Sequence, residues 1–276
     1  VFDNKRTPRR FLQGRVFGVR PVGSGSAVIE VTRGTLRIMI QAEDFFHFSQ
    51  MKGIENDDDA TRQRRYLRKA KLMNGAIINF CPYMEAESED GEVVFAGSRQ
   101  DAMQIQRNRH FFGRNADVKN GSRAAASILS TGPDYVIAEA LGVETSIGAA
   151  ALSAYEYIDN VAEKYHVGDG IPVVVEDLHV DAENGTVSLR LNRAILERRA
   201  NPAMNIHSLA RGGAYGATVT SVNDRFYRLI VDSGNIQARV ALTSSDELLT
   251  RGDRVTLLVY GYDEKRNYVW GACHKV

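Results

Sequence analysis

Gly168-Asp169 leads into the strand-like run IPVVVEDLHV (171–180), the polar turn DAENG (181–185) and a second run, TVSLRL (186–191). The same order returns at Gly252-Asp253, with RVTLLVYGY (254–262), DEKRN (263–267) and YVWGAC (268–273). A third version starts at Asn74-Gly75, with AIINFCPYM (76–84), ESEDG (87–91) and EVVFAGS (92–98). Apolar, β-branched runs on either side of a Gly-, Asn- or Asp-rich turn mark a β-hairpin. Its recurrence at intervals of about 85 to 95 residues marks repeated domains, each about the size of a small barrel.

Working outward, each hairpin closes a longer unit. The first runs from about Phe11 to Met103 and opens with three strand-like segments, LQGRVFGVRPV, GSAVIEV and TLRIMIQA, broken by Pro21, Gly23, Gly25 and Gly34. A long insertion, His47 to Met73, interrupts it. Within the insertion the acidic run Glu55, Asp57, Asp58 and Asp59 precedes RQRRYLRKAKL, which reads as a helix with acids at its positive end and bases towards its negative end. A polar, basic linker, 104–116, follows. The second unit, 117–196, holds the strand candidates SRAAASILS, YVIAEALG and VETSIGA, then AALSAYEYIDNVAEKY, whose apolar spacing predicts a short amphipathic helix. A second linker, 197–206, carries a break at Pro202. The third unit, 207–276, has GATVTSV, FYRLIVD and IQARVALT, the polar connection SSDELLTRGD and then the hairpin. Five short strands, with a helix or turn between the third and fourth, predict a mainly β chain of three tandem OB-fold barrels, the first carrying the helical insertion. Closure removes the edges that such short strands otherwise expose.

The bulk numbers fit an ordinary globular chain: 43% hydrophobic, 25% charged, net charge +1. That net value hides an asymmetry. Up to Arg123 there are 21 Lys and Arg against 15 Asp and Glu; from Ala124 onward there are 14 against 19. A polyanion therefore favours the N-terminal portion. No apolar run is long enough to span a membrane, and VFDNKRTPRRF lacks the apolar stretch of a signal peptide, so a cytoplasmic protein (or one inside an intracellularly assembled particle) is expected. Cys81 and Cys273 read as two buried free thiols in different units. No phosphate-binding loop, dinucleotide fingerprint, zinc-protease motif or nucleophile elbow is present. His47, His110, His166, His179, His207 and His274 are scattered without metal-ligand spacing, and Gly212, Gly213 and Gly216 are not followed by a helix that would make them a phosphate cradle. The expectation is a protein without enzymatic activity, metal or cofactor.

The second unit resembles the S-one RNA-binding domain, the barrel module repeated in the largest small-subunit ribosomal protein of bacteria. The resemblance rests on LGVETSIGAAALS followed by VGDGIPVVVEDLHVDAENGTVSLRL: a strand, an "LS" turn, a "GD" and a closing hairpin. The third unit is similar through GATVTSV and IQARVALTSSDELLTRGDRVTLLVYGYDEKRNYVWGA, and the first more loosely. The resemblance implies OB-fold barrels that bind RNA through aromatics on one face, with a His just before the Ser of the turn. Here that position reads as Ala151 in the second unit and Ala241 in the third.

Single-strand binding needs rings on which bases stack and cations that follow the phosphates. The candidates are Arg15, Phe17 and Arg20 in the first unit, Tyr135 in the second, and Arg225, Tyr227 and Arg228 in the third. Phe226 competes with Tyr227, because a one-residue slip decides which of them faces outward. The alternative is that Phe17 and one of Phe226 and Tyr227 are core residues. Arg62, Arg64, Arg65, Arg68, Lys69 and Lys71 place six positive charges among ten residues of the expected helix. That row either follows a phosphate backbone or pairs with the acidic run beside it or with an acidic partner. In the linker, Arg107, Arg109, His110, Phe111, Phe112 and Arg114 interleave bases with rings, which suits nucleic acid or a wedge between domains. Two functions follow. One is a tandem-barrel protein that binds RNA or single-stranded nucleic acid. The other is a structural or assembly protein, such as a virion component, whose barrels contact other subunits or copies of itself.

Overall fold

The computed structural model describes residues 10–46, 51, 53–87, 93–114, 116–155, 158–200, 205–242, 248–264 and 267–276. The start of the expected insertion (47–50), the turn at 88–92, Pro202 and most of the third unit's polar connection (243–247) lie outside the described residues.

The fold is mainly β, and its fifteen strands form three five-stranded barrels in tandem. The first contains β1 (Leu12–Val22), β2 (Ser26–Arg33), β3 (Leu36–Gln41), β4 (Ile77–Glu87) and β5 (Val93–Ser98), closed in the order β1-β2-β3-β5-β4. The second contains β6 (Arg123–Thr131), β7 (Tyr135–Ala140), β8 (Val143–Gly148), β9 (Gly170–Asp181) and β10 (Thr186–Asn192), ordered β10-β9-β6-β7-β8. There β8 and β10 do not complete a ladder; the Thr145 hydroxyl donates to the Leu189 carbonyl across the seam at 2.7 Å. The third contains β11 (Ala214–Val222), β12 (Phe226–Val231), β13 (Ile236–Ala241), β14 (Arg254–Asp263) and β15 (Tyr268–Lys275), closed like the first. Among the described residues six α-helices accompany them: α1 (Ala42–Phe45), α2 (Asp59–Leu72), α3 (Arg99–Arg107), α4 (Ala149–Leu152), α5 (Val161–Lys164) and α6 (Ala194–Ala200).

The repeated glycine is explained by barrel closure. Gly75, Gly168 and Gly252 have φ of 92°, 93° and 93°, a region that disfavours any side chain. Each donates its N–H to the first strand of its own barrel: Gly75 to Val16 at 2.9 Å, Gly168 to Ile128 at 2.8 Å and Gly252 to Val219 at 2.8 Å. Each acceptor residue donates back, to Ala76, Asp169 and Asp253 respectively. The Asp of the Gly-Asp pair also caps the turn, with Asp169 accepting from the His166 N–H and Asp253 from the Thr250 N–H. That backbone bond to Thr250 is the main reason the partly exposed Asp253 carboxyl titrates below its ordinary value. Just beyond each contact the first strand bulges, between Val16 and Gly18, Ile128 and Ser130, and Val219 and Ser221. A bulge bends a strand, so one strand can pair with two neighbours of a tight barrel.

By contact density the chain divides into two compact units, Val1–Ile147 with Ala162–Leu191, and Gly148–Val161 with Asn192–Val276. In the first of these the bulge residue Leu129 joins the core cluster of the first barrel, and Ile137 and Val167 pack against that cluster. Helix α2 forms as its sequence predicts, with Asp58 as N-cap accepting from the Thr61 N–H at 2.7 Å. Gln63 ties it to the β1–β2 turn through the Gly23 and Ser26 carbonyls. The segment read as the start of a linker is instead the end of α3, followed by a π-type turn at Asn108–Phe112. Of the amphipathic helix expected over 150–165, the described residues form the short turns α4 and α5; α4 ends at an extended Ser153, where Ser153 and Ala154 donate to the Glu197 carboxylate and the Ala154 carbonyl accepts from Gln237.

Candidate nucleic-acid interface

On the third barrel, alternation along β12 turns Tyr227 inward. It is 2% exposed, and its hydroxyl accepts from the Leu249 N–H. Tyr227 therefore does not present its ring as expected, and its neighbour Phe226 points outward instead. The bulge at Val219–Ser221 and the β11–β12 turn set this parity. Asn223 fixes the turn by accepting from the Arg225 and Phe226 N–H groups, leaving Arg225 exposed at its tip.

Around Phe226 the outer faces of β12, β13 and β15 assemble one patch. The Arg239 guanidinium lies 5.0 Å from the Phe226 ring centre and 4.4 Å from that of Tyr268, so it bridges two rings. Arg228 lies 5.4 Å from Phe226 on the same face and is the cross-strand partner of Arg239. Among the described residues Arg239 has the rings of Phe226 and Tyr268 for partners. Ala241, where the resemblance implies His, is exposed beside Phe226.

The second barrel's matching face is used differently. Aligned on the bulge register, Tyr135, Ile137 and Glu139 of β7 correspond to Phe226, Arg228 and Ile230 of β12. Tyr135 is 40% exposed and lies over Gly132, where an added Cβ would come within 2.7 Å of its ring. Ile137 packs on the first barrel's core. Glu139 is buried and accepts from the fully buried Arg99 of α3, with Nε···Oε2 3.1 Å. Glu144 of β8 accepts from Arg99 Nη2 at 3.1 Å, and the Phe45 carbonyl takes a further guanidinium bond. Burial alone would lower the Arg99 pKa, but Glu139 and Glu144 outweigh it and hold the group charged. Helix α3 thus occupies this face.

That explains two further corrections. Arg107 is buried and donates to the Gly142 carbonyl at 3.0 Å, and Phe111 is also buried; neither is available to a ligand. Arg109 and Arg114 are exposed. His110 is half-buried against Phe111, and burial first, then Arg109, pushes its pKa down.

The first barrel presents Phe17 at its bulge, 63% exposed, which sets aside the core alternative for that residue. Arg20 is exposed but paired with Glu30 at 3.2 Å, and Arg15 donates to the Gly75 carbonyl. The six cations of α2 split by helix face. Arg62 and Arg65 pair with Asp59 and Asp57. Lys69 is drawn in over the Phe46 ring at 5.1 Å, and burial lowers its pKa, so it leaves the solvent-facing row. Arg64, Arg68 and Lys71 remain as an exposed row at helical spacing.

Arg239, Tyr268, Trp270 and Tyr260 were not singled out by the sequence. The available signal was period-two alternation in IQARVA and YVW, which puts Arg239, Tyr268 and Trp270 on one face once the inward residues Ala238, Val240 and Val269 are known.

No family model and no curated protein matches the chain. Among solved structures it is similar to a multidomain protein with nucleic acid binding domains from Streptococcus pneumoniae, at 9% identity over 96% of this chain and 73% of that one, TM-score 0.25. It is also similar to the HINa domain of Ifi202 in complex with 20-bp double-stranded DNA, at 10% identity over 97% of both chains, TM-score 0.20. A third is the Drosophila Unr CSD456 structure, at 8% identity over 97% of both chains, TM-score 0.18. Likenesses of this degree carry no argument about what this chain binds.

Proposed function

We propose that this chain is a non-enzymatic protein that binds single-stranded nucleic acid, RNA in the first instance, on the outer face of its third barrel. The observation that carries the reading is Arg239 held between Phe226 and Tyr268 with Arg228 beside it. A base has a π-face that stacks on such rings, contributing about 1–3 kcal/mol each, while the guanidinium groups meet the phosphates. Strands two and three of an OB barrel are where this fold grips oligonucleotides, and Phe226, Arg228 and Arg239 lie on those strands. The second barrel contributes little, since its equivalent face holds α3. The exposed row Arg64, Arg68 and Lys71 adds sequence-independent attraction in the first unit. Photo-crosslinking the whole chain to 4-thiouridine RNA tests the reading: crosslinked peptides should fall in 225–241 and 268–274. Crosslinks confined to the second barrel would refute it.

The Arg99 node favours a second reading, because here one OB face serves a protein contact. In an assembly protein the third face would do the same for another subunit. Such a chain would self-associate in a purified sample free of nucleic-acid absorbance, and would give no crosslinks.

A further inference from the structure

On the third barrel, beyond Tyr268, two more rings stand on the outer surface. Trp270 of β15 is 47% exposed and Tyr260 of β14 is 50% exposed, both high for residues of this size. They are not loosely placed. A Cβ added to Gly261 would sit 2.8 Å from two carbons of the Trp270 indole and 2.9 Å from its Nε1, so the ring lies over backbone that has no side chain. Tyr260 meets the indole edge-on, with ring centres 6.1 Å apart and an interplanar angle of 79°. Gly261 and Tyr260 support the indole on two sides, and Tyr260 sits at the β14 bulge, which turns its side chain outward. Trp270 is also the cross-strand partner of Arg239, so it continues the line that begins at Phe226.

We propose that Trp270 and Tyr260 form a second stacking station, and that a single strand crosses the third barrel transversely from β12 to β14. The inference rests on the function proposed above and adds its path and length. The strand order β12-β13-β15-β14 places three inter-strand spacings between the two ends, about 14 Å at roughly 4.8 Å each. A stacked strand advancing about 3.4 Å per nucleotide covers that span in about four nucleotides. Charge complementarity selects the occupant: Arg239 lies beside Trp270 and Tyr268, where a strand joining the two stations must carry a phosphate. The support from Gly261 and Tyr260 means the indole needs little ordering when a base arrives.

Trp270 is the only tryptophan in the chain, so its fluorescence reports this station alone. The whole chain is titrated with oligouridylates of two to twelve nucleotides, following tryptophan emission and, in parallel, anisotropy of the labelled oligonucleotide. Dinucleotides should leave emission unchanged, and quenching should begin at about four to five nucleotides. Trp270→Leu should weaken binding of the twelve-mer about tenfold, the loss of one stacked base. Gly261→Ala, which moves an exposed ring and leaves the core intact, should reduce both quenching and twelve-mer affinity. Anisotropy binding without quenching at any length overturns this inference and leaves the proposed function standing. Absence of binding by both readouts overturns both. Quenching by a glucose hexasaccharide but by no oligouridylate would assign the station to a sugar and overturn the inference.

Discussion

Replacing Arg99 with Met should reveal how the first two barrels are held together. The guanidinium is fully buried and serves Glu139 and Glu144, whose side chains are 5% and 10% exposed. Met fills much of the same volume but leaves two carboxylates without their cation. Breaking a buried pair from one side costs about 3–5 kcal/mol, because the remaining charge loses its compensation. In a folding unit of this size each kcal/mol lowers Tm by about 2–4 °C, so a fall of roughly 6–20 °C is expected by calorimetry or circular dichroism. Adding Glu139→Gln and Glu144→Gln should recover most of the loss at pH 7. A cost below about 1 kcal/mol would refute the view that this node joins the barrels.

Other outcomes follow from the same geometry. Gly252→Ala should cost about 1–2 kcal/mol for its left-handed backbone, since nothing lies near an added Cβ. Gly168→Ala should cost clearly more, because its Cβ would sit 2.4 Å from the Gly75 carbonyl oxygen; equal costs in denaturant unfolding would contradict the packing described. Burial pushes the Cys81 thiol up to about 11, so it should resist a thiol reagent at pH 8 until the first barrel unfolds. Reversing Arg64, Arg68 and Lys71 to Glu should flatten the salt dependence of RNA binding by up to about two units of slope, at roughly 0.7 per phosphate contact. An unchanged slope would remove α2 from the interface.

The three-barrel architecture was legible because closure makes a demand on sequence: a Gly at φ near 93° must begin each closing hairpin, and the polar turn must follow at a fixed distance. Helix α2 was legible because its cap, Asp58, and its basic end are local. The interface was harder to read. Whether Phe226 or Tyr227 faces outward depends on the β11 bulge, and nothing in SVNDRF reveals the bulge. Arg107 reads as linker because the Gly142 carbonyl it reaches lies 35 residues away; Arg99, at the head of the same helix, finds Glu139 and Glu144 only 40 and 45 residues later. A charge satisfied across domains is indistinguishable in sequence from one facing solvent. The reverse holds for Arg239, Tyr268 and Trp270, which read as ordinary strand residues until the barrel put them on one side.

The most direct measurement of the central claim is the affinity of the whole chain for a fluorescent 12-nucleotide RNA across a salt titration, with Arg239→Glu and Phe226→Ala beside the wild type. The account predicts wild-type binding that weakens steeply with salt. Arg239→Glu should weaken it at least tenfold and flatten the slope, while Phe226→Ala weakens it about five- to tenfold with the slope unchanged, since stacking releases no counterions. Wild-type affinity in both variants, with thermal stability intact, would contradict the assignment of nucleic-acid binding to the third barrel.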